Sequence, residues 1–275
     1  MSEGAIHLIG ENVEIVDLHL RPIKNKTLFV PLTDPLMILY ASGDYISRRL
    51  NLKPKYYFKI PGMPPMMFSV EGAVAHPIVI LGAEGCSLMM LRVPPRYGEI
   101  QKLYELIAEK LVRWAARNEF DRIVIADVKP ARGDKPEVFF VTEERLVESV
   151  AKYGFKPFTG VFTSEATYFM DECLRSKIDG IMLVVESVAM KRLSELFKPQ
   201  VSQSVIEGII EDVAKHDEKA VRTVIEALSK ISSVEIPLDE LPKFMDEIRD
   251  ALEMSIQSFL RMLHAEKGRL ERLII

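Results

Sequence analysis

The sequence predicts a layered α/β fold in which a sheet lies between helices. Short apolar runs that are typical of buried strands recur through the first two thirds of the chain, and the run at 180–186 is the clearest of them. Amphipathic segments with helical spacing separate several of these runs. A sheet whose strands alternate with amphipathic helices is covered by those helices, which is the arrangement of layered α/β proteins.

The N-terminal part of the chain is rich in predicted strands. Alternating apolar and polar residues on both sides of Gly10-Glu11-Asn12 predict a hairpin. Thr33-Asp34-Pro35 separates the next two apolar runs, and Ser42 is placed to cap a short helix that ends at Leu50. The predicted strands of this part are 5–9, 13–20, 28–32, 36–41, 56–60, 67–74 and 77–81.

Helical periodicity becomes stronger from the middle of the chain onward. Thr142 is placed as the N-cap of a helix that ends before Gly154, and His216 with Asp217 is placed at the start of another. Strands are predicted at 123–128, 138–141 and 180–186. Helices are predicted at 97–117, 142–153, 164–176, 190–197, 201–215, 218–231 and from 238 onward.

Composition and charge narrow the class of protein. The chain carries 36 basic and 40 acidic residues, a net charge of −4 with both signs mixed, which disfavours nucleic acid and anionic membranes as partners. No run reaches the roughly 18 apolar residues of a membrane span, and the N-terminus lacks a signal-peptide pattern. Cys86 and Cys173 lie among apolar neighbours and are predicted to be reduced core residues. We therefore expect a cytoplasmic protein.

The sequence lacks the common motifs of cofactor binding and catalysis. It contains neither a dinucleotide fingerprint nor a P-loop, and it has no nucleophile elbow. Its five histidines are scattered, without a second ligand at helical or turn spacing. We therefore expect no metal and no cofactor, and a binding protein in preference to an enzyme.

One loop nevertheless has the position of a ligand site. Residues 129–136 follow a predicted buried strand, and ligands of open α/β sheets bind near the carboxyl ends of strands. Arg132 and Lys135 could hold an anion there, or the loop could be an ordinary solvated one. Asp127 and Glu186 stand at strand ends and could act as acid and base if they shared a pocket. The alternative is that both carboxylates mark the points where strands emerge into solvent.

A long amphipathic helix ends the chain. From Leu241 onward, apolar residues recur mostly every three or four positions, and a helix of about 35 residues would span on the order of 50 Å. Because that length exceeds the face of one small domain, we expect part of the helix to pack on a second subunit. The alternative, for its first half, is that it covers the sheet of its own domain. The residues that we assign to oligomerisation are Leu252, Ile256, Phe259 and Leu263.

Several segments of the chain resemble the archaeal proteasome-assembly chaperone family. They are 76–84, the helix from Tyr97, 120–126, 178–187, and 216–221 leading to Leu228. The resemblance implies a three-layer α/β sandwich with a central mixed sheet, similar to the purine nucleoside phosphorylase architecture but without its catalytic groups. Glycines that many members carry after the strand at 123–126 are replaced here by Asp127-Val128-Lys129. That departure would remove a small-ligand pocket, if relatives use one.

The resemblance also implies a function and a partner. Members of that family form homo-oligomers and bind proteasome α subunits through their C-terminal ends, so the implied role is a non-enzymatic assembly chaperone. The implied organisation is an α/β domain over 1–236 and a helix with its tail over 237–275. Proteasome activators end in a hydrophobic residue, tyrosine and any residue, and isoleucine replaces the tyrosine here. The partner-binding residues are then Leu270, Leu273, Ile274 and Ile275.

A second hypothesis is an enzyme related to nucleoside phosphorylases or hydrolases that acts on a small molecule. It would use Asp127, Arg132 and Glu186 at the edge of the sheet. The two hypotheses differ in one structural requirement, because only the enzyme needs a deep pocket that joins those three side chains.

Overall fold

A nine-stranded mixed sheet forms the centre of the protein. The computed structural model describes residues 13–17, 27–34, 36–60, 68–70, 73–93, 103–195, 203–250 and 254. Its strands are β1 Glu14–Asp17, β2 Thr27–Pro31, β3 Lys53–Lys59, β4 Phe68–Val70, β5 Ala73–Ala75, β6 Val79–Gly82, β7 Leu88–Arg92, β8 Arg122–Pro130, β9 Val138–Thr142, β10 Lys156–Pro157 and β11 Asp179–Ser187.

Four parallel strands occupy the middle of this sheet. The strand order is β1-β3-β6-β7-β2-β8-β11-β9-β10, and β7, β2, β8 and β11 run parallel. Antiparallel pairing attaches β6, β3 and β1 on one side, and on the other side β9 runs antiparallel to β11. The short strand β10 is parallel to β9. Strands β4 and β5 form a separate antiparallel hairpin.

Helices cover both faces of the sheet. The helices are α1 Ile38–Arg49, α2 Tyr104–Arg117, α3 Val147–Ala151, α4 Ala166–Ser176, α5 Val188–Glu195, α6 Gln203–Ser232 and α7, described over 241–250, with a short 3₁₀ turn at Glu144–Leu146. Helix α2 packs with α4, whereas α1 and α5 pack with α6, and α4 and α6 each pack on β11.

The two apolar strands β8 and β11 lie at the centre of the core. They pair in one unbroken register, from Asp179 opposite Arg122 to Ser187 opposite Pro130. In β8 the run from Ile123 to Ala126 is fully buried. A strand that is covered by helices on both faces cannot alternate apolar and polar residues, which explains the continuous apolar runs at 123–126 and 181–185. The strands predicted at 123–128, 138–141 and 180–186 are therefore confirmed.

The segment after β2 was predicted to be a strand and is a helix. The backbone N–H groups of Leu36, Ile38 and Leu39 donate hydrogen bonds of 3.0, 3.1 and 2.8 Å to the carboxylate of Asp34. A carboxylate that accepts the unpaired N–H groups of a first turn starts a helix at that point. Ser42 is consequently inside α1, where its hydroxyl donates to the carbonyl of Ile38, and it is not a cap.

Other predicted boundaries were also wrong. Thr142 belongs to β9 and donates its hydroxyl hydrogen bond, 2.6 Å long, to the carbonyl of Gly180 across the sheet, so it does not cap a helix. The strand predicted at 67–74 is the hairpin of β4 and β5. Strand β7 was not predicted.

The helices predicted on the two sides of His216 and Asp217 are one helix, α6. Neither residue has the backbone restriction of proline or the backbone freedom of glycine. The apolar positions 209, 210, 213, 220, 221 and 224 keep one helical phase across the pair, so the same stripe continues through it.

Gly180 allows α4 to approach β11 closely. A Cβ atom at this position would lie 2.8 Å from Cys173 Cβ and 3.2 Å from Cys173 Sγ. Contacts this short cannot be relieved by rotating Cys173, because the nearer atom is fixed to its backbone.

We expect Gly180→Ala to lower the free energy of unfolding by about 1–3 kcal/mol, since α4 or β11 must shift to admit the methyl group. The control is Gly133→Ala, because a Cβ atom there has nothing within 4 Å. Urea unfolding of both variants measures the difference. Equal stabilities of the two variants would show that the α4–β11 contact is not tight.

Candidate functional site

The residues assigned from sequence to oligomerisation and partner binding lie outside the described residues. They are Leu252, Ile256, Phe259, Leu263, Leu270, Leu273, Ile274 and Ile275. Of the regions that the sequence predicts to be functional, the structure describes two. They are the N-terminal part of the terminal helix, α7, and the edge of the sheet with Asp127, Arg132 and Glu186.

The beginning of α7 packs against the domain that precedes it. Leu241, Phe244 and Met245 are buried. The Phe244 ring meets Tyr45 of α1 edge to face, with ring centroids 5.3 Å apart, and the Arg48 guanidinium carbon lies 5.0 Å from the Phe244 centroid. These contacts agree with the alternative in which the first part of the helix covers its own domain.

Polar contacts fix the segment that enters α7. The Tyr45 hydroxyl donates a 2.7 Å hydrogen bond to the carbonyl of Pro237. The two terminal nitrogens of Arg49 form ion pairs with Asp239 and Glu240 at 3.0 and 2.6 Å. Since α1 holds this segment at three points, the direction in which α7 leaves the domain is set by α1.

Asp127 lies at the carboxyl end of the parallel sheet, in a polar cluster with Asp34 and Ser164. The Ser164 hydroxyl donates a 2.8 Å hydrogen bond to Asp127. Burial raises the pKa of the Asp127 carboxyl above its usual value. Burial also raises the pKa of Asp34 to about 6, against the opposing effect of its three backbone hydrogen bonds, and the nearby Asp127 adds to the rise. Asp34 accepts hydrogen bonds from the backbone at the start of α1, and Asp127 accepts one from Ser164, so both carboxylates have structural partners.

Glu186 and Arg132 form the best-defined ion pair of this edge. The buried carboxylate of Glu186 accepts a 2.6 Å hydrogen bond from Nε of Arg132 and a 3.3 Å hydrogen bond from its backbone N–H. The side chain of Glu186 is 4% exposed, whereas that of Arg132 is 62% exposed. Both oxygens of a buried acid thus hold one residue of the loop after β8 in place.

Aromatic rings that the sequence analysis did not single out surround the basic residues. The Arg132 guanidinium carbon lies 4.3 Å from the ring centroid of Phe139, and Lys129 Nζ lies 3.8 Å from that of Phe162. Phe158 lies between them, within 5.8 Å of Arg132 and 5.1 Å of Lys129. Phe158 and Phe162 belong to an irregular segment before α4, where no periodicity signals a contact; only their aromatic character could have drawn attention to them.

An open cleft of about 550 Å³ lies beside this ion pair. Arg132 and Glu186 line it, but Asp127 does not. Its lining residues are Arg132, Gly133, Asp134, Lys135, Glu137, Phe139, Lys156 and Glu186. The structure thus brings two of the three residues of the enzyme hypothesis together and leaves the third with Ser164.

Few side chains in the described ranges are candidates for metal binding or redox chemistry. Among these residues, no group of three or more His, Cys, Asp or Glu side chains is arranged to hold a metal ion. Cys173 is buried, which raises the pKa of its thiol to about 12, and Cys86 is half-buried. The thiol of Cys173 is therefore protonated at neutral pH.

No helix in the described parts of the chain has the length and apolar character to cross a membrane.

Comparison with known proteins places the chain in a family. The model of the PAC2 family matches residues 28–255. The chain belongs to the PAC2 family. The matched range includes the central sheet from β2 onward, the cleft and the first turns of α7, so the elements described above are those of a PAC2 protein. No curated protein matches the sequence.

Solved structures share the fold of this PAC2 protein at low identity. Pyrococcus furiosus PbaA, described as an archaeal homolog of proteasome-assembly chaperone, is 16% identical with a TM-score of 0.67, over 90% of this chain and 99% of that one. A Thermoplasma acidophilum protein of unknown function is 21% identical with a TM-score of 0.64, over 90% and 92%. Pyrococcus furiosus PbaB, an archaeal proteasome activator, is 15% identical with a TM-score of 0.60, over 88% and 98%.

The raised pKa of Asp34 predicts how it contributes to stability across pH. A carboxyl whose pKa is about 6 when folded and 3.8 when unfolded binds an extra proton in the folded state between these values. Its contribution is fully present below about pH 4 and is lost as the pH rises through about 6. We therefore expect Asp34→Asn, which keeps an oxygen acceptor for the start of α1, to gain stability relative to wild type as the pH rises from 4 to 7.

Urea unfolding at a series of pH values measures this difference. Asp34→Ala is the matched control, because it removes the same charge and also the cap, at an additional cost of about 1 kcal/mol at every pH. If wild type and Asp34→Asn show parallel pH profiles, the pKa of Asp34 is not raised.

Proposed function

We propose that this protein is a non-enzymatic, chaperone-like protein of proteasome assembly that binds proteasome α subunits and associates with itself. Membership of the PAC2 family over residues 28–255 carries the proposal. The shared fold with PbaA and PbaB, whose descriptions refer to proteasome assembly and proteasome activation, supports it. The net charge and the reduced state of the two cysteines are consistent with a cytoplasmic protein.

In this proposal, residues 237–275 carry both self-association and docking. The α/β domain over 1–236 would act as the support from which the terminal helix projects. Its contacts with the beginning of α7, through Tyr45, Arg48 and Arg49, support this organisation. The domain would share the three-layer architecture of purine nucleoside phosphorylase without its catalytic groups.

The enzyme hypothesis is the weaker alternative. It requires one pocket that joins Asp127, Arg132 and Glu186, and the cleft contains only the last two. Glu186 is fully engaged with Arg132, and Asp127 accepts from Ser164, so neither carboxylate is placed as a free acid or base for a common substrate.

Deletion of Leu273, Ile274 and Ile275 should abolish binding to α subunits and leave the thermal unfolding of the protein unchanged. The reason is that the hydrophobic residues of the tail would supply the docking contacts. Surface plasmon resonance with immobilised α subunits of the same organism measures the binding.

A gain-of-function variant complements this deletion. Ile274→Tyr restores the terminal pattern of proteasome activators and should bind at least as tightly as wild type. Unchanged binding after deletion would place the docking contacts elsewhere and would refute the proposed role of the tail.

Replacing Leu252 and Phe259 by glutamate should convert the self-associated protein to monomers, because charges on the apolar stripe cannot be buried against a second copy. Light scattering coupled to gel filtration measures the mass. Met254→Glu is the control, because Met254 is exposed and residues two positions apart differ by about 200° around a helix, which puts Met254 outside the apolar stripe of the sequence. Oligomers that survive the double substitution but dissociate with Met254→Glu would assign the interface to the opposite face.

A further inference from the structure

The geometry points to a binding site for a small oxyanion, a phosphate or a carboxylate, in the cleft beside Arg132. We propose that the terminal nitrogens of the Arg132 guanidinium, with Lys135, bind two oxygens of such a ligand. This site is separate from the tail and the stripe to which the proposed function assigns docking and self-association, so each can fail without the other.

Arg132 is held in place at its Nε atom, at one face of its guanidinium and at its backbone. Glu186 engages only Nε and the backbone N–H of Arg132, and Phe139 covers the guanidinium at 4.3 Å. The backbone beside it is fixed as well, because the N–H of Ala131 donates a 2.9 Å hydrogen bond to the carbonyl of Ser187. Within the described part of the chain, no group contacts the terminal nitrogens by a hydrogen bond. They are the donors that bind carboxylate and phosphate side by side.

Two other arginines of this protein differ from Arg132, because each of them pairs with two carboxylates. Arg113 uses Nε for Glu172 and Nη1 for Glu109, at 2.9 and 2.8 Å. Arg145 uses Nε for Glu143 and Nη2 for Asp179, at 2.6 and 2.8 Å. In both residues a second carboxylate satisfies the end of the guanidinium. Arg132 lines the cleft and, among the described residues, has no carboxylate partner other than Glu186.

The charges of the cleft favour an anion at that position. Lys156 pairs with Glu137 at 3.4 Å, and Lys191 pairs with Asp134 at 3.3 Å, so each of these two acids has a lysine partner. Lys135 lines the cleft and has no ion-pair partner among the described residues. The donors that face the cleft without a carboxylate are therefore the end of Arg132 and the ammonium of Lys135.

The position and size of the cleft suit a small ligand. The loop that carries Arg132 follows the carboxyl end of β8, and Glu186 stands near the carboxyl end of β11, which is where ligands of open α/β sheets bind. The volume of about 550 Å³ lies in the range of small-molecule sites. A guanidinium that is already fixed by Glu186 and Phe139 loses little freedom when the ligand arrives, and this favours binding.

Titration of the full-length protein with inorganic phosphate and, separately, with succinate tests the site. Two-dimensional amide NMR should show saturable changes at Arg132, Gly133 and Lys135 with at least one of the two probes. The probe that saturates at lower concentration identifies the source of the oxyanion as phosphate or carboxylate. If neither probe gives a saturable change at these amides, the proposal is overturned.

Arg132→Lys is the decisive variant. It keeps a positive charge for Glu186 and therefore the fold, but an ammonium lacks the planar, parallel N–H groups with which a guanidinium binds two oxygens side by side. We expect the affinity for the bound probe to fall about tenfold or more, the effect of losing hydrogen bonds to a charged group. Lys135→Gln, which leaves the Arg132–Glu186 pair untouched, should weaken binding by a smaller factor.

Arg145→Gln is the matched control, because it removes an exposed, ion-paired arginine outside the cleft and should leave the affinity unchanged. Equal loss of affinity in Arg145→Gln and Lys135→Gln, each of which removes one positive charge, would mean that the probe responds to the overall charge and would overturn the proposal. Wild-type affinity in both Arg132→Lys and Lys135→Gln would overturn it as well.

Discussion

The parallel pairing of β8 with β11 is the constraint on which the other layers of this protein depend. Both strands are nine residues long, are apolar in their central parts (123–126 and 181–185), and pair in a single register without a bulge. Neither can face solvent on either side, so helices must cover both faces, and α4 and α6 do so on β11. The order of the remaining strands follows from what can still pair at the two outer edges of this central pair.

The same pairing determines which polar groups meet at the edge of the sheet. Asp127 stands opposite Val184, and Lys129 stands opposite Glu186. Because side chains alternate between the faces of a strand, Asp127, Lys129 and Glu186 project on one side. That side is the one from which Ser164 and the aromatic segment before α4 approach. The register of β8 and β11 therefore places these polar groups at one edge of the sheet. There Asp127 pairs with Ser164, whereas Glu186 pairs with Arg132.

The helix at the C-terminus connects this framework to the proposed function. Its first turns bury Leu241, Phe244 and Met245 against the domain, while Asp246, Glu247, Arg249 and Asp250 are exposed. The start of this helix is apolar on the side that faces its own domain, and the sequence continues the apolar stripe after it. This pattern is typical of a segment that first makes an intramolecular contact and then an intermolecular one. The proposed function gives that pattern two roles, self-association and docking on proteasome α subunits.

The sequence by itself determined the elements whose signal is local and strong. The apolar runs of β8, β9 and β11 and the amphipathic pattern of α2 and α4 need no distant residue to be recognised, since burial on both faces or on one stripe is already visible in the order of residues. Three of the segments that resemble the archaeal chaperone family, the helix from Tyr97, 120–126 and 178–187, overlap with α2, β8 and β11, and the family was therefore accessible from sequence.

Tertiary structure decided what depends on side chains far apart in the chain. The start of α1 is a different case, because its signal is local and was missed: the carboxylate of Asp34 accepts from N–H groups only two, four and five positions ahead. Thr142 stays in β9 because it bonds to Gly180, which is 38 positions away. Arg132 is aligned by Glu186, 54 positions away, and by Phe139. Sequence spacing carries no information about such pairs, since only the folded sheet brings both partners to the same edge.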